Sequence, residues 1–427
     1  MNLPVVAMIF IFFAGMVVGI PLVWTIGLSC VAAIAIDPNL SFVIIPQKIF
    51  YYCDSFALLA VPCFFLAGDV MTEGGLSRRL VNLSDALFGW VRGGISICSI
   101  VACMFFAAIS GSSVATTAAI GSIMHPEMVK KGYPEDYSAA IQAAGGTLGI
   151  IIPPSIVFVV YGTITGTSIG RLLVAGIIPG IIAGVALCGY AYWTAKKNNY
   201  PVNSGFSMKI FLKSFKNAMW ALTMPILILG GIYSGIFTPT ESSAIAALYG
   251  IIVCVAVYRQ LTFKALWQLF KKTAAATSSL MILVSVALVF GYLITYYRIP
   301  YYVAEMFVSI AKDRYVFMFI VVVLLVICGM FIDVAASNLI LGPILAPVAV
   351  SFGISPVHFG MVFVFILALG QATPPFGTCL FVASSVCNCS AVKVSKRVIP
   401  FCLVLIGCAL IFAYVPALST FLPNYIR

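Results

Sequence analysis

Apolar runs near the ~20-residue length that spans a bilayer succeed one another along this chain, divided by short loops rich in lysine and arginine. Residues 4–21, 22–36 and 56–71 read as spans, with 41–53 a short, partly polar connector. Residues 76–90 follow another pattern. Arg78, Arg79 and Asp85 alternate at helical spacing with Leu80, Leu83, Leu87 and Phe88, which predicts an amphipathic helix lying in the interface. Residues 94–110 run apolar into a polar turn and 114–129 run out again, which predicts a re-entrant helical hairpin. Residues 137–161 form one span broken at Gly145, Gly146, Gly149 and Pro153-Pro154, and 171–195 form a fifth full span. Beyond a linker the plan returns. Spans are expected at 218–237, 241–258 and 278–296 with a connector at 261–272, and an amphipathic piece at 300–313. A hairpin at 315–332 and 339–352, a broken span at 356–386 and a closing span at 398–418 follow.

The two halves keep a register of 221 residues. Gly121 falls on Gly342, Pro126 on Pro347, Gly132 on Gly353, Gly149 on Gly370, Pro153-Pro154 on Pro374-Pro375 and Pro179 on Pro400. These residues set backbone shape, so both halves break their helices at the same places, the best sequence pointer to a transport site in a membrane protein. The expected organisation is a first repeat at 1–197, with its hairpin near 94–130 and broken span near 137–163. A linker at 198–217 joins it to a second repeat at 218–427, with hairpin near 315–352 and broken span near 356–388. Five crossings per half force the second repeat to enter upside down. The fold class is therefore an all-α polytopic membrane protein of two inverted repeats.

Composition agrees with this picture. Hydrophobic residues make up 63% and charged ones 8%, and the mean hydropathy is +1.15, far from a soluble domain. The ~10-residue alternation of a membrane β-barrel is absent. The first 36 residues lack a basic start and a small-residue cleavage site, so they read as mature helix rather than a signal peptide. The net charge of +11 is a topology signal and not a nucleic-acid footprint. With the lysine-bearing linker inside, most of the 23 basic residues lie on the cytoplasmic face and both termini lie outside. The first hairpin then enters from the cytoplasm and the second from the opposite face. Of the thirteen cysteines, most sit in apolar runs as small hydrophobes, and Cys387 and Cys389 do not have zinc-site spacing.

Backbone at a hairpin tip survives at membrane depth only when buried in protein or facing a polar cavity. Ser110, Gly111, Ser112, Ser113, Thr116 and Thr117 crowd the first tip, and Asp333, Ser337 and Asn338 the second. The helix breaks add Gly149, Pro153, Thr147 and Ser155 in one half, and Gly370, Gln371, Thr373, Pro374 and Thr378 in the other. Hydroxyl, amide and carbonyl oxygens suit a hard cation such as Na⁺, and half-helix N-termini favour an anionic group. The same hydroxyls also serve helix–helix hydrogen bonding. Asp333 would cost ~2.5–3.5 kcal/mol if isolated at the midplane, so it faces a site or caps the following helix. Glu241 reads as a helix cap, and His125 and His358 as loop or packing residues. No nucleotide-binding, zinc-protease or nucleophile motif is present, so an enzyme is not expected.

The stretches GSSVATTAAIGSIMHPEM, GGTLGIIIPPSIVFVVYG, GGIYSGIFTPTE and ALGQATPPFG closely resemble the large membrane subunit of TRAP (tripartite ATP-independent periplasmic) transporters, in order and across the chain. The resemblance implies an elevator-type secondary transporter of the bacterial inner membrane, with a scaffold and a mobile transport domain that holds both hairpins. It further implies coupling to two or more Na⁺, no organic cofactor, and a carboxylate solute delivered by a periplasmic substrate-binding protein. Sialic acid is favoured as that solute, a C4-dicarboxylate next. A small four-helix membrane subunit is expected as a separate chain, because no such unit precedes Met1. A standalone Na⁺/carboxylate carrier and a passive anion channel remain open at this point.

Overall fold

The computed structural model describes residues 3–200, 205–311 and 313–425. Every regular element among them is helical. Eight of the helices are long and apolar enough to cross a membrane, and further apolar helices such as Leu3–Val18 and Leu22–Ile36 are slightly shorter.

The helix order repeats at the spacing read from the sequence. Leu76–Phe88 corresponds to Ile299–Ile310, Gly94–Ser110 to Arg314–Phe331, and Ser113–Lys130 to Val334–Ser351. Glu135–Gly146 corresponds to Pro356–Gly370, Ile156–Thr165 to Thr378–Val386, and Ile177–Lys197 to Ala391–Tyr414. Gly132 and Gly353 both take the left-handed backbone, and the Pro153–Pro154 and Pro374–Pro375 bonds are both cis.

Burial ranks these helices by position. In Glu135–Gly146 every residue from Tyr137 onward is buried, and in Pro356–Gly370 every residue from Val357 onward. A helix that is buried all round lies at the centre of its protein, so the two broken spans form the core. Leu3–Val18 and Met208–Tyr233 instead turn Phe10, Phe13, Ile226 and similar side chains outward. Apolar side chains facing lipid gain nothing from moving inside, so cohesion comes from close packing and polar links. One buried link is Ser99 with Gln142, whose amide nitrogen donates at 2.7 Å. An exposed link, Arg397 with Asp136 at 2.9 Å, joins the two halves.

Packing divides the helices into two groups. Residues 3–73 pack mainly with 208–296, where Asp69 receives Lys272 at 3.3 Å and the Thr273 hydroxyl at 2.9 Å, and the helices Leu76–Phe88 and Ile299–Ile310 touch both groups. The hairpins, broken spans and their flanking helices, 94–197 and 314–425, form the second group.

Four expectations are corrected. Residues 261–272 are not a connector but the start of one helix, Phe263–Tyr296. No glycine or proline interrupts it before Gly291, and Thr262 caps it. The helix expected from residue 218 begins at Met208, because Lys209, Lys213 and Lys216 recur along one helical face. Residues 201–204 of the expected linker lie outside the described residues. The connector expected at 41–53 is mostly a short helix, Ile44–Cys53. The second hairpin's return helix begins at Val334 rather than 339, so Ser337 and Asn338 are helical and the turn is only Ile332 and Asp333.

Candidate functional site

Each hairpin turn is fixed by its own residues. Gly111 ends the first helix in the left-handed conformation, at φ +62°. Ser112 opens the next, its hydroxyl accepting from the Ala115 N–H at 3.3 Å. Ser110 and Thr116 share a hydrogen bond at 3.0 Å across the turn, and the Thr116 and Thr117 hydroxyls donate back to the Ser112 and Ser113 carbonyls at 2.8 and 2.9 Å. In the second hairpin Asp333 takes the capping position, accepting from the Ala335 N–H at 2.9 Å while its carboxylate stays exposed.

The first turn is pressed onto the first helix break. A Cβ on Gly149 would lie 2.5 Å from the Ser112 carbonyl oxygen and 2.6 Å from the Thr116 hydroxyl, so this approach requires glycine. The Ser113 hydroxyl reaches the Thr147 carbonyl at 3.4 Å. At the break itself, the Ser155 hydroxyl donates to Ile150 O at 2.6 Å and caps Ile156–Thr165, with buried Pro153 beside it. The second half repeats the approach one turn earlier: a Cβ on Gly370 would lie 2.6 Å from the Gly329 Cα. Gln371 bridges that break, its carbonyl accepting from the Cys379 N–H at 2.9 Å, and the Thr373 hydroxyl donates to Leu369 O at 2.9 Å. Pro374 is half-buried between them.

The halves also exchange contacts. The return helix of the second hairpin packs on Ile156–Thr165, and the Asn338 amide nitrogen donates to the Val157 carbonyl at 3.1 Å. The return helix of the first packs on Thr378–Val386, where Thr117 faces Cys379. Thr117 is the register partner of Asn338, so equivalent positions on the two return helices meet the other half's broken span. Both hairpins and both breaks thus form one body, and the residues picked from the sequence converge on it.

Among the described residues several buried side-chain oxygens in this body lack a hydrogen-bond partner, Ser96 Oγ and Tyr161 Oη among them, and three of these, Ser337 Oγ, Asn338 Oδ1 and Thr378 Oγ1, lie at the second hairpin and its break. An unpaired buried oxygen costs about 1–3 kcal/mol, so each calls for a partner. Among the described residues no three His, Cys, Asp or Glu gather as metal ligands, so the available donors are neutral oxygens of the kind a hard monovalent cation accepts.

Two clefts separate this body from the remaining helices. A polar cavity of about 690 Å³ lies between the Leu76–Phe88 helix and the first return helix, lined by Arg78, Arg79, Asn82, Ser122 and Tyr258 among others. Its counterpart of about 400 Å³ is lined by Tyr52, Thr165, Tyr292, Thr295 and Pro343.

Residues 9–418 match the family described as the tripartite ATP-independent periplasmic transporter, DctM component. The chain belongs to this family. The DctM-family chain is 40% identical to the C4-dicarboxylate TRAP transporter large permease DctM of Pseudomonas aeruginosa, covering 89% of each. It is 42% identical to the isethionate TRAP transporter permease DctMQ of Oleidesulfovibrio alaskensis over 95% of its own length, and spans 64% of that relative. It is 34% identical to the sialic acid TRAP transporter permease SiaT of Haemophilus influenzae, covering 96% of this chain and 66% of that one. In structure it is similar to the YdaH transporter of Alcanivorax borkumensis, with TM-score 0.61, 16% identity, and 88% and 87% of the two chains covered. The chain is thus a TRAP large permease, a multi-pass transport protein and not an enzyme.

Sequence reasoning passed over Gly68 and Gly329, which let helices approach the hairpins. A Cβ on Gly68 would sit 3.1 Å from the Ser110 carbonyl. The only signal was a glycine inside an apolar run. Phe331 and Phe376, ring centroids 6.1 Å apart and both exposed at the second tip, were also missed. They occupy the positions that Ser110 and Ser155 hold in the first half.

Proposed function

We propose that this permease carries out Na⁺-coupled uptake of a small carboxylate, sialic acid first and a C4-dicarboxylate next, handed over by a periplasmic binding protein. Ser337, Asn338 and Thr378 supply oxygens to the coupling ions, of which two or more are expected. The hydroxyls of the first tip and the breaks at Gly149 and Gly370 complete the cation and substrate sites. The single observation that supports this most is the set of buried, unsatisfied oxygens within the paired hairpin-and-break body. The hairpin-bearing body moves across the membrane against residues 3–88 and 208–310, alternately opening the two clefts to opposite faces. A small four-helix membrane subunit partners the latter group in the bilayer, and both termini face the periplasm. With the inside negative, each net positive charge moved inward through 100 mV gains ~2.3 kcal/mol, so an excess of Na⁺ over substrate charge drives accumulation without ATP.

The cation part has a direct test. Na⁺ should raise the melting temperature of the purified complex in a saturable way, because a ligand of the folded state stabilises it by mass action. K⁺ at equal ionic strength should not. Equal responses to the two ions would remove Na⁺ from the account.

A further inference from the structure

The cavity of about 690 Å³ carries chemistry that the hairpin site does not use. Its wall includes two guanidinium groups and no carboxylate. Arg79 is held in place by a face-on contact with Tyr258, 3.7 Å from the ring centroid, and Tyr258 is fixed in turn by its hydrogen bond to the Asn217 carbonyl at 2.9 Å. Arg78 stands exposed in the mouth, where the neighbouring cleft adds Lys130 and Lys131 together with Asp85 and Glu127, the last paired with Lys130. Among the described residues neither arginine pairs with an acid. Ser77, one residue before them, lines the same cavity with a hydroxyl that is buried and has no partner. One fixed guanidinium, a second at the mouth, an orphaned donor and polar walls form an anion receptor, and guanidinium groups bind carboxylate in two-pronged fashion.

Its position gives it a role. Ser122 of the first return helix forms part of the wall, ten residues beyond Ser112, or ~15 Å along the helix from the tip. The opposite cleft holds hydroxyls and aromatic rings, with Lys48 stacked over Tyr292 at 4.5 Å. The arginines therefore lie in the cleft on the lysine-rich, cytoplasmic side, between the fixed and moving groups.

We propose that this cleft is a second oxyanion site, built from Arg78, Arg79 and Ser77, which receives the carboxylate of the solute on its way from the hairpin site to the cytoplasm. This rests on the transport reading above. The same oxyanion chemistry could come from a phospholipid headgroup. The walls favour a soluble acid, since Ala119, Ile123 and the Tyr258 ring are the few apolar groups among otherwise polar or charged lining side chains.

The test uses Ser122→Cys in the permease complex in inside-out vesicles. The vesicles are labelled with a sulfonate-bearing or a trimethylammonium-bearing methanethiosulfonate, and the peptide carrying the introduced thiol is read by mass spectrometry. The sulfonate-to-ammonium rate ratio should be about tenfold higher with both arginines than in the Arg78→Gln/Arg79→Gln chain, as expected of half-solvated charges at contact distance. Arg79→Lys, which keeps the charge and the fold, should retain most of that ratio. Succinate or sialic acid should slow sulfonate labelling in neutral phosphatidylcholine vesicles. Unchanged ratios would overturn the proposal. So would protection by phosphatidylglycerol alone, which would assign the site to lipid. Labelling needs no transport: a charge preference without Na⁺-driven uptake in the same vesicles sinks the transport reading and keeps the site, and uptake without the preference does the reverse.

Discussion

Asp333 holds two roles that substitutions separate. Its carboxylate caps the helix from Val334 and is exposed at the second hairpin turn. Asparagine caps nearly as well as aspartate, whereas alanine costs ~1 kcal/mol. Asp333→Asn should therefore leave thermal stability within about 0.5 kcal/mol. If the charge serves coupling, it should still lower uptake at limiting Na⁺ by tenfold or more. Ser337→Ala removes a hydroxyl that has no partner in the protein, so stability without Na⁺ should hold or rise while the Na⁺ concentration for half-maximal stabilisation rises. Gly370→Ala works through packing. Its Cβ would press on the Gly329 backbone, and overpacking of that kind costs ~1–3 kcal/mol. Gly407→Ala, where a Cβ meets nothing within 4 Å, is the control that thermal melts should find unharmed. Which residues shape the site was legible in the sequence wherever shape was at stake, because Gly149, Gly370 and the proline pairs stand in register. The exact atoms left unpaired were not, since Ser337 Oγ and Thr116 Oγ1 occupy equivalent places and only one finds a hydrogen-bond partner.

At the scale of elements, the hairpins behave as halves of one unit because each return helix packs on the other half's broken span. Helical periodicity announces a helix but not its partner across about 180 residues, so this exchange was beyond sequence reading. So was the long helix Phe263–Tyr296, whose polar first third resembles a connector until tertiary contacts such as Asp69 with Thr273 hold it. The proposed motion makes a contrast. A flexible bismaleimide joining Asn82→Cys to Ser122→Cys, on opposite walls of the basic cleft, should abolish uptake by tying the moving body to the fixed one. Cysteines at Asp136 and Arg397, already paired within the body, should accept the same crosslinker and leave most uptake intact. Full activity after the first crosslink would remove the relative motion from the account.

For the whole molecule, two inverted halves place equivalent clefts at opposite faces while their charges differ, with arginines in one and hydroxyls and aromatic rings in the other. The asymmetry suits an anion that travels inward. The membrane class and the helix order were legible from the apolar pattern and the 221-residue register, because lipid permits so few backbone solutions, and the family from the resemblance of stretches such as ALGQATPPFG. The substrate was not, since no single side chain in this chain identifies one acid over another. The measurement that bears most directly on the account is uptake of radiolabelled sialic acid into proteoliposomes holding the permease and its small partner subunit. It is run with and without binding protein and with and without an inward Na⁺ gradient, and with succinate as the second acid. The account predicts accumulation only when binding protein and Na⁺ gradient are both present. Equal uptake of the transported acid without the gradient, or without the binding protein, would contradict it.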